Sequence, residues 1–190
     1  MAASTSVFSE FEVKRLGFRF GSGETRLVPC IGSIEEEMTV RKVTKKCRGV
    51  VKKRRNIGTG EGTVKISAHI PYDIFVEAWG MDLSTTKTDV FAYGQDSRHG
   101  EFVLTADVFD EDGNEMVRAY PVCMASAGPA RKTTNGEEEV AEVEFEIEVS
   151  PDDYGNGVYE CSAEVAATTF TSVENFMTKF DPKDAQMETA

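Results

Sequence analysis

Four carboxylates stand at every second position of one short segment, at Glu142, Glu144, Glu146 and Glu148. The residues between and after them are apolar: Val143, Phe145, Ile147 and Val149. Because successive side chains of a strand point to opposite faces, the pattern predicts a strand with one buried face and a row of carboxylates about 7 Å apart. A solvated outer strand face would explain this row. A surface that repels polyanions is the sharper interpretation, since neighbouring carboxylates repel one another and need water or cations to cover them.

A second segment carries the opposite charge. Between residues 41 and 55 lie nine of the 21 basic residues, and no acid occurs from residue 38 to residue 60. The nine are Arg41, Lys42, Lys45, Lys46, Arg48, Lys52, Lys53, Arg54 and Arg55. Gly58, Gly60 and Gly62 follow, and residues 64–70 then alternate between apolar and polar. This order predicts a long hairpin from Thr39 to Ser67 with the three glycines at its tip.

Groups that could carry catalysis or bind a cofactor are not arranged for it. His69 and His99 lie near no nucleophile or acid in an interpretable pattern, and the 58–63 glycines fit neither phosphate-binding motif. The four cysteines, Cys30, Cys47, Cys123 and Cys161, lack the paired spacing of a zinc site. The segment from Asp110 resembles a calcium loop, but Pro121 occupies the closing position. The sequence therefore predicts no enzyme, no cofactor and no metal.

The elements that hold these segments are mostly strands. Runs at 90–93, 102–109, 116–124 and 158–165 are typical of strands, and shorter ones occur within residues 1–33. One helix is predicted at about 71–80, between Pro71 and the cap Gly80. Its apolar side, which we expect to pack on a sheet, consists of Ile74, Phe75, Ala78 and Trp79.

The boundaries follow from these elements. We expect an N-terminal arm with short strands at 1–33, a β domain at 34–165 and a C-terminal arm at 166–190. Within the last, Thr171 and Glu174 form a possible capping box for a short helix, and residues 181–190 are predicted to be disordered.

The whole-chain totals restrict the function further. With 190 residues and 40% hydrophobic content, the chain can bury a full core. Its net charge of −12 argues against attraction of the whole molecule to nucleic acid or anionic membranes. No apolar run is long enough to cross a bilayer, and the first residues lack the apolar run of a signal peptide. We therefore expect synthesis in a reducing cytosol and no membrane partner.

Segregated charge of this kind suits self-association. A basic arm that reached an acidic surface of the next copy would make a heterologous contact, which closes into a ring or continues as a filament.

Four segments in fixed order carry a family resemblance. They are GTGEGTVKISAHIPYDIFVEAWGM, YGQDSRHGEFVLTADVFDEDGNEMVRAYPVC, GPAR and EEVAEVEFEIEVSPDDYGNGVYE. Over about residues 30–165 the chain resembles the major tail protein of long-tailed, non-contractile bacteriophages. The resemblance implies an antiparallel β-sandwich or barrel-like subunit with one flanking helix. It also implies assembly as hexameric rings that share an inner β-barrel and stack into a tail tube.

The same resemblance implies surroundings and partners. These are copies of the chain itself, a tape-measure protein, tail-assembly chaperones, tail initiator and terminator proteins, and genomic DNA in transit without tight binding. The expected location is the virion tail, assembled in the cytoplasm of the host bacterium. In such a tube the four glutamates of 142–148 would face the lumen and repel DNA, and the basic hairpin would reach a neighbouring subunit or ring.

Two other functions remain open on the sequence alone. A tail terminator, head-connector or secretion-tube relative would also form a β-rich ring, but it would stop at one ring where a tube protein polymerises. A nucleic-acid-binding module could use residues 41–55 to bind phosphates. That segment has no interleaved aromatic residue for base stacking.

Overall fold

The computed structural model describes residues 8–133, 135–136 and 140–187 and shows a mainly antiparallel β fold. The strands are β1 (Glu10–Phe20), β2 (Arg26–Val28), β3 (Ile31–Cys47), β4 (Val50–Ala68), β5 (Glu101–Asp110), β6 (Glu115–Ala125), β7 (Val143–Ser150) and β8 (Tyr159–Ser162). The helices are α1 (Tyr72–Ala78), α2 (Ala163–Thr169) and α3 (Val173–Lys179), followed by a 3-10 turn at Pro182–Ala185. The predicted fold class, including the helix near 71–80 and the long basic hairpin, is confirmed.

The strands form one sheet in the order β2-β1-β5-β6-β7-β4-β3, with β8 beside β6. Strand β6 changes partner along its length. Residues 116–119 pair with β8, whereas residues 122–125 pair with β7. Pro121 lies at the change, where its missing N–H removes no bond from either ladder. Because β6 changes partner in this way, strands of one sheet lie in two layers.

The sheet is strongly curled. Strands β2 and β3 stand at opposite ends of the strand order, yet only Pro29 and Cys30 separate them in the chain. A link this short spans at most about 10 Å, so the two ends of the sheet lie close together. The backbone N–H of His69 donates to the carbonyl of Cys30 at 2.9 Å and fastens the link to the end of β4. The result is barrel-like.

Helix α1 and the residue after it fill the inside of this curl. Ile74 and Ala78 are fully buried, and the ring of Trp79 lies 4.3 Å from that of Phe75 and 4.5 Å from that of Phe145, between ring centroids. The indole N–H of Trp79 donates to the carbonyl of Ala127 at 2.7 Å. The apolar side of β7 therefore packs directly on the helical segment.

A second apolar cluster lies on the outer face of β5 and β6. The C-terminal helices cover it with Phe176, Met177 and Phe180, which pack on Val117 and Ala119. Arg19 and Thr25 donate from side chains to the carbonyls of Phe180 and Thr178, and Thr105 donates to that of Met177 at 2.8 Å. Residues 163–187, here called the C-terminal segment, are thereby fixed to the sheet.

Four local predictions are wrong. Residues 90–93 form no strand; they belong to the 82–100 connection, where Phe91 packs against Tyr72 beside α1. The run predicted as a strand through residue 165 ends at Ser162, which caps α2. Helix α3 is capped by Ser172, whose hydroxyl accepts from the N–H of Asn175 at 3.0 Å, and not by Thr171.

The fourth wrong prediction concerns the tail from residue 181. Pro182–Ala185 form a 3-10 turn capped by Asp181, and Gln186 bonds back to Tyr159; residues 188–190, like 1–7, lie outside the described residues. Strand β1 pairs with β5 from Glu10 to Phe20 and with β2 at residues 16–18, so it is part of the same sheet as the later strands. The division into arms and a β domain remains a prediction.

Candidate assembly surfaces

Residues 39–61, here called the basic ribbon, extend beyond the body of the sheet. Strand β7 pairs with β4 only from Gly62 to Ala68. Past Gly62, within the described residues, β3 and β4 pair with each other alone. At about 3.4 Å per residue, the nine residues from Thr39 to Cys47 give a two-stranded ribbon about 30 Å long.

The tip of the ribbon is not where the glycines predicted it. Cys47 pairs with Val50, so the turn consists of Arg48 and Gly49 alone. Both have positive φ, at 49° and 80°, which is the requirement of a two-residue type I′ turn. Gly58, Gly60 and Gly62 lie instead within β4. The predicted glycine tip is wrong, because the two-residue turn closes the hairpin before the chain reaches them.

All nine basic side chains of the ribbon are exposed: Arg41, Lys42, Lys45, Lys46, Arg48, Lys52, Lys53, Arg54 and Arg55. None forms a salt bridge with a carboxylate of the described residues. Lys45 lies directly opposite Lys53, a like-charge pair that destabilises a two-stranded ribbon. Val40 and Val50 are also more than half exposed. Isolated two-stranded hairpins are marginal in water, so this ribbon suits a partner surface of opposite charge.

An acidic face lies on the outer side of β3, β4 and β7. Glu144, Glu146 and Glu148 are exposed, while Phe145, Ile147 and Val149 between them are buried. In the register, Lys65 of β4 lies between Glu146 of β7 and Glu35 of β3, and Thr63 lies in the same way between Glu148 and Glu37. We define the acidic face by Glu35, Glu37, Glu144, Glu146 and Glu148.

One cation lies within this face and one carboxylate stands at its end. Lys65 Nζ is 3.8 Å from Glu146 Oε1, and both side chains are largely solvated, so the pair contributes little stability. Glu142 precedes β7 and accepts a 2.5 Å hydrogen bond from the hydroxyl of Ser67. The structure thus brings the four predicted glutamates to one surface and adds two more.

Sequence reasoning missed Glu35 and Glu37. The three consecutive acids at 35–37 obscured the alternation of β3. The middle acid, Glu36, points to the opposite face, beside Val64. The missing signal was the register of β3 with β4, a pairing that no short-range pattern of this chain specified.

Strand β3 is an end strand of the sheet, and no described strand pairs with its outer edge. The unpaired N–H and C=O groups of such an edge can add a further strand, including one from another copy. The acidic face, the ribbon and this open edge all belong to the same two or three strands.

The described residues contain no group of three or more His, Cys, Asp or Glu side chains arranged to hold a metal. Among the described helices, none has the length and apolar character to span a membrane. The one buried basic side chain among the described residues is Arg118, held by Glu10 and by Glu160 at 3.0 Å. Burial opposes its charge, but the hydrogen bond and charge of Glu10, with the charge of Glu160, raise the pKa of Arg118 overall.

No family model and no curated protein matches this chain. Among solved structures, the chain is similar to the cryo-EM structure of the anti-feeding prophage cap, described as the AFP tube terminating cap. The identity is 9%, the match covers 85% of this chain and 97% of that one, and the TM-score is 0.44. A similarity of this degree establishes neither a family nor a function.

Proposed function

We propose that this chain is a structural protein of a phage-type tail, which assembles with its own copies as stacked rings and forms the tube through which genomic DNA passes. The observation that carries the proposal is the basic ribbon. Nine exposed cations stand on a two-stranded extension with no carboxylate partner among the described residues, in a chain of net charge −12. Such an element is stabilised when it contacts the acidic surface of another copy.

The open edge of β3 supports the same proposal. A sheet with a 17-residue end strand can continue into the sheet of a neighbouring copy, and ring closure removes such edges. In a closed ring with an inner barrel, six copies would be the number implied by the family resemblance. The tape-measure protein, chaperones, initiator and terminator proteins belong to the proposal on that resemblance alone.

The acidic face gives the tube its proposed inner wall. Glu142, Glu144, Glu146 and Glu148, with Glu35 and Glu37 beside them, would line the lumen. Duplex DNA carries one negative charge per about 1.7 Å of its axis, so a wall of carboxylates prevents adhesion that would stall passage.

The first test is assembly. Purified protein at high concentration is imaged by negative-stain electron microscopy, with light scattering at low and high salt. We expect hollow tubes whose formation depends on salt. Single rings that do not stack would favour a terminator or connector. Salt-dependent binding of duplex DNA by a monomer would favour a nucleic-acid-binding module.

Charge reversal tests the ribbon itself. Changing Lys45, Lys46, Lys52 and Lys53 to glutamate should abolish tubes and leave the fold intact. The matched control reverses four exposed lysines outside the ribbon, Lys87, Lys132, Lys179 and Lys183, with the same change in net charge. Unchanged assembly and salt response in the ribbon variant would contradict the proposed contact.

The lumen role needs a separate variant. With Glu142, Glu144, Glu146 and Glu148 all changed to lysine, we expect tubes to form and DNA delivery by the assembled particle to fall. Normal delivery by such particles would contradict the lumen assignment and leave the assembly role standing.

A further inference from the structure

The base of the basic ribbon is bent by a bulge in β4. The register of β3 with β4 shifts at Thr39, which alone lies opposite residues 59–61. Gly60, in the middle of the three, has a φ of 78°, and the hydroxyl of Thr59 donates to the carbonyl of Thr39 at 3.1 Å. Bulges bend and twist a strand. The direction in which the ribbon leaves the body is therefore set at this point.

A loop from another part of the chain packs closely against this bulge. Residues 151–157, which follow β7, bring Gly155 and Gly157 against Gly60. A Cβ on Gly157 would lie 2.0 Å from the carbonyl oxygen of Gly60, and a Cβ on Gly60 would lie 2.8 Å from both Gly155 O and Pro151 Cβ. Backbone meets backbone here, and only glycine permits the approach.

Asp152 makes the loop rigid. Its Oδ1 accepts from the backbone N–H groups of Tyr154 and Asn156, each at 2.9 Å. Its Oδ2 accepts from the hydroxyl of Tyr159 at 2.7 Å, and its own N–H donates to the carbonyl of Asn156 at 3.0 Å. One carboxylate thus fixes the turn and connects it to Tyr159 at the start of β8.

Tyr159 in turn is held by the C-terminal segment. Its oxygen accepts from Asn156 Nδ2 at 2.9 Å and from Gln186 Nε2 at 3.1 Å, so the hydroxyl donates once and accepts twice. Its ring centroid lies 5.3 Å from that of Phe180, a buried residue of the same segment. An unbroken series of contacts therefore runs from the C-terminal segment to the bulge.

We propose that Asp152 and Tyr159 are positioning residues for the basic ribbon. They hold the 151–157 loop against Gly60, so that docking of the C-terminal segment fixes the direction of the ribbon. The ribbon cannot supply this restraint itself, because it has two strands, exposed apolar residues and like charges on both arms. A free ribbon would sample many directions, and each productive contact with a partner would then cost ordering entropy.

Hydrogen exchange measured by mass spectrometry tests the positioning role. Tyr159→Phe removes three hydrogen bonds and keeps the ring. Of these three, Gln186→Ala removes only the one from the C-terminal segment, together with the bond from Gln186 to the carbonyl of Pro182. We expect backbone amides of residues 57–63 to exchange about tenfold faster in Tyr159→Phe, with a smaller increase in Gln186→Ala. Tyr154→Phe, at an exposed tyrosine of the same loop, is the control. Peptides from β5 and β6 should not change.

A pair of glycine variants provides an independent measurement. Gly157→Ala places a Cβ against Gly60, whereas Gly58→Ala, two residues from Gly60 on the ribbon, meets nothing within 4 Å. Only the first should speed exchange at residues 57–63. The proposal is wrong if the two variants behave alike there, or if Tyr159→Phe speeds exchange equally throughout the chain.

The effect on assembly rests on the proposed function, while the exchange measurement does not. We expect Tyr159→Phe to slow tube growth. Tubes from the unaltered protein together with unchanged exchange in all variants would overturn the positioning role alone. Faster exchange at residues 57–63 in a protein that never assembles would overturn the proposed function alone.

Discussion

The hydroxyl of Tyr120 donates a 2.5 Å hydrogen bond to Glu36 Oε2 and so joins β6 to a strand three places away in the sheet. Tyr120 has no exposed surface, whereas Glu36 reaches solvent. Burial, together with the hydrogen bond to Glu36 and the negative charge of that carboxylate, raises the pKa of Tyr120 well above its ordinary value. The bond spans the inside of the curl, which shows that the two layers of the sheet face each other across a distance that two side chains can bridge.

Tyr120→Phe should destabilise the protein by about 1.5–3 kcal/mol, the range for a hydrogen bond to a charged group. The ring and its packing remain, so the loss reports the bond across the curl. Urea unfolding followed by circular dichroism measures it. Tyr154→Phe, at an exposed site, should change the free energy of unfolding by less than about 0.5 kcal/mol. Equal effects of the two variants would contradict this account.

Trp79→Ala should cost about 3–5 kcal/mol of unfolding free energy, because it leaves a cavity where the indole is buried against Phe75 and Phe145. It also leaves the carbonyl of Ala127 without the indole donor. Thermal and urea unfolding measure the loss. Val90→Ala, at a half-exposed site beside the helix, is the comparison and should have little effect. A loss below about 1 kcal/mol would mean that the helix contributes little to the core.

The stability of the protein should depend on pH through the carboxylate of Asp110. The side-chain amide of Asn114 donates to Asp110 Oδ2 at 2.6 Å, and two backbone N–H groups donate to Oδ1, which lowers the pKa of Asp110. Because the pKa of Asp110 is lower in the folded than in the unfolded protein, its carboxylate stabilises the fold at any pH above the unfolded-state pKa of about 3.9. This stabilisation is lost as the pH falls through the folded-state pKa.

Asp110→Asn should therefore lower the melting temperature near neutral pH, and the difference from the unaltered protein should shrink below about pH 4. Melting curves across the acid range provide the measurement. Asp112→Asn, which removes an exposed carboxylate of the same turn, is the matched control. Parallel curves for Asp110→Asn and the unaltered protein would exclude this contribution.

The four thiols should differ in reactivity. Cys30 and Cys47 are exposed and Cys123 is buried. Burial and the charge of Glu160 raise the pKa of Cys161 to about 11, so little thiolate forms at neutral pH. A disulfide reagent at neutral pH should label two thiols rapidly in the folded protein and all four after unfolding.

Cys47→Ser should leave one rapidly labelled thiol, which is then assigned to Cys30. Labelling of Cys161 at the rate of Cys30 in the folded protein would mean that β8 opens readily. Mass spectrometry of the labelled peptides identifies each site.

Local patterns predicted much of the fold. The alternation at 142–149 identified β7 and its two faces, because a period of two is a property of any half-buried strand. Pro71 and the spacing of Ile74, Phe75 and Ala78 predicted α1, whose ends depend on neighbouring residues only. Both elements have boundaries and faces that the chain specifies within a few residues.

Long-range pairing could not be predicted in the same way. The ribbon tip was assigned to the glycines, whereas the chain turns at Arg48, a residue type that rarely adopts positive φ. Glu35 and Glu37 join the acidic face only through the register of β3 with β4. The apolar residues 90–93 pack beside α1 instead of pairing, a choice that depends on the space left by distant elements.

The continuity of the ribbon with the body has a mechanical consequence. Strand β4 continues from the ribbon tip, through the bulge at residues 59–61, into the body, where seven residue pairs, from Gly62–Val149 to Ala68–Val143, join it to β7. A pull on the tip along the strand loads these seven pairs in parallel, as shear, and does not peel them open one after another. A fibre joined through such ribbons would bend or stretch without its subunits losing their strands.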